Sequence, residues 1–66
     1  MANTPRTRQA AESALSVHVE RIGGAENDRE TQIIDLIADL LLLLPDNGTA
    51  DLVAERAALH AFEDRV

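Results

Sequence analysis

Ile33-Ile34-Asp35-Leu36-Ile37-Ala38-Asp39-Leu40-Leu41-Leu42-Leu43-Leu44 is the longest apolar stretch of the chain. It spans twelve residues and is interrupted by Asp35 and Asp39. A membrane-crossing helix needs about 20 apolar residues, so this stretch reads as a buried or docking helix. Asn27 precedes it as a suitable N-cap, with Glu30 three residues later for a reciprocal cap and Asp28 adding negative charge at the helix start. Pro45 disfavours helix in the residue before it, and Asp46-Asn47-Gly48 is turn chemistry. The spacing predicts a helix over residues 28–44.

At about 100° per residue, Ile33, Ile37, Leu40 and Leu44 form a central stripe of this helix. Ile34 and Leu41 flank it on one side, Leu36 and Leu43 on the other. Asp35, Ala38 and Asp39 take the opposite, solvent-facing side, with Leu42 in their midst. The apolar sector covers roughly half the circumference, wider than the ~100° that packing against one neighbour needs.

Outward from this helix the chain is plainer. Ala10 to Ile22 places Leu15, Val19 and Ile22 at i, i+4 and i+7, although Leu15, Val17 and Val19 also alternate as a strand would. The alanines favour helix, no second strand is in sight, and Gly23-Gly24 supplies a helix stop. On the other side, Thr49 is a suitable N-cap for a helix over residues 50–65 carrying Leu52, Val53, Leu59 and Phe62. Residues 1–9 are polar, contain Pro5, and read as a disordered tail. The expected fold is all-α: a small three-helix domain over residues 10–66, with helices at about 10–22, 28–44 and 50–65.

Composition narrows the function classes. A chain of 66 residues and 7.2 kDa makes one small domain whose core is thin or completed by a partner. Twelve acidic residues oppose six arginines, giving a net charge of −6 without a single lysine. That offers no basic stripe for nucleic acid or for an anionic membrane surface. It has no cysteine, and its opening residues lead into no early apolar run, so we expect a cytoplasmic protein.

Chemistry is sparse. His60 and Asp64 at i, i+4 could give two metal ligands, fewer than a zinc site needs, and Ser13 or Ser16 with His18 lacks a nucleophile turn and an orienting third group. Asp35 and Asp39 have no cleft to raise either pKa. No enzyme activity, cofactor or metal is expected.

The functional expectation comes from supply. Nine Ile or Leu residues between 33 and 44 exceed what the large apolar groups of the two flanking helices can cover. A wet Leu forgoes roughly 1.5–3 kcal/mol of burial, so several of them suggest a binding surface. Leu36, Leu41, Leu42 and Leu43 are the expected contact residues, framed by Asp35 and Asp39. Such a surface could accept a segment of another protein or close a homodimer, and the acidic groups could instead mimic DNA phosphates toward a basic partner.

The blocks VERIGGAE at 19–26 and DRETQIIDLIADLLL at 28–42 resemble the small QseM-type antiactivators carried by integrative and conjugative elements of proteobacteria. The resemblance covers about residues 17–44 and includes no catalytic motif. It implies a cytoplasmic helical protein that binds transcriptional activators, among them a LuxR-type quorum-sensing regulator, and represses element transfer. The alternatives are an obligate homodimeric structural or assembly subunit and an acidic DNA-mimic inhibitor. Oligomeric state, monomer or homodimer, stays open at this stage.

Overall fold

A computed structural model describes residues 5–65 of the chain, and these form an all-α fold of three helices. Helix α1 runs Pro5–Ile22, α2 Arg29–Leu41 and α3 Ala50–Arg65, with a short 3-10 turn at Asn47–Thr49 before α3. Helix α2 packs against both of the others, while α1 and α3 make no comparable contact with each other. The molecule is therefore open: its radius of gyration is 12.8 Å, against about 11 Å for a compact chain of this length.

Three boundaries differ from the sequence expectation. Helix α1 begins at Pro5, so residues 5–9 are helical where a tail was expected; the expectation for residues 1–4 lies outside the described residues. Proline suits the first helical position, where a missing N–H costs nothing, and the arginines and glutamine that follow are good helix formers. Helix α2 starts one residue late. Its N-cap is Asp28 in extended backbone, and Asp28 Oδ1 accepts a hydrogen bond from Thr31 Oγ1 at 2.5 Å instead of capping a backbone N–H. Glu30 is thereby only the second helical residue, and the reciprocal cap expected of Asn27 and Glu30 does not form.

The third difference is at the far end of α2. Leu42, Leu43 and Leu44 donate their N–H groups to the carbonyls of Asp39, Leu40 and Leu41, at 3.2, 3.0 and 3.2 Å. These are i→i−3 bonds, so the helix tightens before Pro45 and its α register ends at Leu41, not Leu44. In front of α3, Thr49 Oγ1 donates to the Asp46 carbonyl at 3.3 Å. Asp46 Oδ1 accepts from the Gly48 N–H at 2.7 Å and organises the 3-10 turn there.

The α1–α2 connection is well specified. Gly23 and Gly24 have φ of +104° and +93°, a region that side chains disfavour, and the Gly23 N–H closes α1 on the Val19 carbonyl at 2.8 Å. The Asn27 N–H donates to the Gly24 carbonyl at 3.0 Å to form a tight turn. Gln32 then reaches back from α2, its Nε2 donating to the carbonyls of Gly24 and Asn27 at 3.1 and 3.2 Å. One glutamine thus clamps the loop to the helix that follows.

Candidate protein-binding surface

The side of α2 turned to α1 is not its most apolar side. Gln32, Leu36 and Asp39, at i, i+4 and i+7, are all half-buried. Opposite them α1 contributes Leu15, the one buried apolar side chain among the described residues at 6% exposure, together with the half-buried Val19 and His18. His18 Nε2 lies 2.7 Å from Asp39 Oδ2. A carboxylate only accepts, so the imidazole donates through Nε2. Arg29 also pairs with Glu12 across the two helices, but both side chains are more than half exposed, and such a pair is worth little. Asp39 was expected on a solvent face beside Asp35; it belongs instead to the α1–α2 junction, because α2 is rotated about its axis from the expected setting.

That rotation decides what remains open. Ile33, Ile37 and Leu40 follow Gln32, Leu36 and Asp39 by one residue each, so they lie ~100° around the helix. They are 41%, 45% and 53% exposed, where the sequence predicted a core stripe. Ile34 beside them is exposed as well. Helix α3 packs on α2 but leaves them about half exposed; its half-buried residues include the small Ala50 and Ala54, while Leu52, Leu59 and Phe62 are exposed. Val17 and Ile22 of α1 are exposed too. The large groups that might have closed the core face water.

The six expected contact residues do not form one surface. Leu42 and Leu43 stand together in the tightened turn after α2 and are the most exposed large apolar side chains among the described residues, at 73% and 80%. Leu36 is half-buried on the α1 side and Leu41 is half-buried on the opposite flank. Asp35 is exposed, and Asp39 is held by His18. Sequence reasoning missed the exposure of Ile33, Ile34, Ile37 and Leu40. The shortage of covering residues was its available signal, and the choice of uncovered positions required knowing how α2 is rotated.

The exposed area is large in total. The chain presents 5627 Å² to solvent, whereas a compact monomer of its mass presents about 4,100 Å². Residues 1–4 and 66, outside the described range, could account for at most about 750 Å² of that excess. On α2 and its following turn, Ile33, Ile34, Ile37, Leu40, Leu42 and Leu43 together expose on the order of 600 Å².

Other chemistry is thin. A shallow opening of about 290 Å³ between α1 and α2 is lined by Glu12, Leu15, Ser16, Val19, Arg29 and Gln32, and its charged groups are the paired Glu12 and Arg29. Among the described residues no group of three His, Asp or Glu side chains is placed to hold a metal ion. No helix among them is long and apolar enough to cross a membrane. No protein-family model matches the chain, and no curated protein or solved structure is significantly similar to it.

Proposed function

We propose that this protein is a small negative regulator that works by contact, masking a transcriptional activator of the quorum-sensing or conjugative-transfer type. The observation that carries the reading is the pair Leu42-Leu43, 73% and 80% exposed at the end of α2. Two adjacent leucines held wet in a turn fixed by three backbone hydrogen bonds present an ordered apolar knob. Inserting it into a groove of a partner recovers burial that the isolated chain forgoes. The resemblance of residues 17–44 to the QseM-type antiactivators supplies the class of partner. The net charge of −6 would steer a basic activator toward the surface, more in association rate than in affinity.

The test is a promoter reporter driven by a LuxR-type activator from the native host, read with and without this protein, together with the purified pair's affinity. The wild type should lower reporter output. Leu42→Asp should relieve that repression and weaken binding by at least about tenfold, because it removes an apolar contact and forces a carboxylate toward a dry interface. Circular dichroism should be unchanged, since Leu42 covers little of its own chain. Equal repression by wild type and Leu42→Asp would place the masking surface elsewhere. No repression of any such activator would end the reading.

A further inference from the structure

We infer that a second copy of this chain covers the Ile33–Ile37–Leu40 face of α2. This goes beyond the masking function and concerns a surface separate from the Leu42-Leu43 turn. The first argument is area. The chain exposes 5627 Å², about 1,500 Å² more than a compact monomer of its mass, of which about 750 Å² must lie on the described residues. A standard interface takes about 800 Å² from each partner, and obligate homodimers take more. Closure on a copy therefore removes an excess of the size observed.

The second argument is the chemistry of the face. Ile33, Ile37 and Leu40 form one continuous ridge of two helical turns, flanked by Ile34. Asp35 lies on the far side of α2, ~160° from Ile37, and Asp39 is engaged by His18 at 2.7 Å. Glu30 stands at the ridge's end in the first turn, where it would sit at a solvated rim. Two chains of charge −6 can thus meet through a surface whose centre carries no charge. In a twofold arrangement each ridge meets the other's, with Ile37 near the axis, which is what a self-complementary contact requires.

The third argument decides the occupant. Among the described residues only Leu15 is buried as an apolar side chain. Ordering three helices costs more than one buried leucine and the half-buried Val19, Leu36, Leu41 and Leu44 return, so a cover is needed whenever the chain is folded. A second copy meets that condition at every expression level that supports folding, as in other dimers that have no stable monomer.

The test uses the full chain. Sedimentation equilibrium should give twice the 7.2 kDa chain mass. The melting temperature should rise by about 5 °C for each tenfold increase in protein concentration, the value for a two-chain unfolding of this size. Because the protein has no cysteine of its own, Ile37→Cys offers a single thiol. Under mild oxidation it should give a disulfide-linked dimer in high yield, whereas Ser13→Cys on the exposed side of α1 should not. A 7.2 kDa species at all concentrations with a concentration-independent melt overturns the inference and leaves the face to a different protein. A dimer in which Ile37→Cys cross-links no better than Ser13→Cys overturns the assignment to α2. The Leu42→Asp variant should still dimerise, so loss of masking and loss of the dimer are separate failures.

Discussion

Replacing Leu15 with alanine tests the packing on which the rest depends. Leu15 is 6% exposed and sits where α1 meets α2. Truncation removes about three methylene equivalents, worth roughly 2.4 kcal/mol at ~0.8 kcal/mol each. In a closed core a cavity cost would add to this, raising Leu→Ala to as much as 5 kcal/mol. Here Leu15 lines an opening of about 290 Å³ that solvent already reaches, so water can fill the gap and the added cost is small. The expected loss is therefore about 2–3 kcal/mol, which for a domain of this size lowers the melting temperature by about 10–20 °C. Urea and thermal melts followed at 222 nm should read it, at one fixed protein concentration so that association does not enter the comparison. Leu59→Ala is the control: its side chain is 56% exposed on α3, and it should cost less than about 1 kcal/mol. If Leu15→Ala costs no more than Leu59→Ala, Leu15 is not the point at which α1 docks, and the rotation of α2 argued from it fails.

Two further outcomes follow from charged groups. A double-mutant cycle on His18→Ala and Asp39→Ala should return a coupling of about 1 kcal/mol, since the 2.7 Å contact is partly buried and involves a carboxylate; a coupling near zero would mean that the pair does not hold α1 across α2. Raising ionic strength from about 20 to 300 mM should tighten self-association, because it screens repulsion between chains of charge −6. The same change should weaken binding to a basic activator, and dimer dissociation that increases with salt, read by sedimentation, would contradict an apolar self-interface.

The sequence was most legible where local chemistry acts alone. Gly23-Gly24 stops α1 because positive φ is needed there, whereas the stop expected at Pro45 comes early, since α2 leaves its α register at Leu41. Periodicity identified three helices for the same reason. The setting of α2 was not legible. A wheel drawn from residue type places Ile33, Ile37 and Leu40 inward, yet the molecule turns Gln32, Leu36 and Asp39 toward α1. Three features favour that choice: Gln32 clamping the loop, His18 meeting Asp39, and Leu15 burying itself where α1 meets α2. None is encoded in the spacing of apolar residues along α2. The exposure of Leu42 and Leu43 has a local cause that could have been weighed, because tightening before Pro45 moves them off the α-helical register.

The two uncovered surfaces have different physical origins, and this bears on what each can do. Among the described residues, nothing large closes over the Ile33–Ile37–Leu40 ridge: α3 has small Ala50 and Ala54 half-buried and carries Leu52, Leu59 and Phe62 in exposed positions. Such a ridge is rigid, continuous and charge-free at its centre, and it suits a permanent contact whose loss unfolds the protein. The Leu42-Leu43 turn is exposed because backbone geometry holds it out, whatever the packing behind it. It covers little of its own chain, so it can be engaged and released without a folding cost. A masking regulator of the kind proposed would need both properties, a structure that persists and a contact that can be made and broken. In this chain the leucine-rich segment is long enough to divide them between its middle and its end.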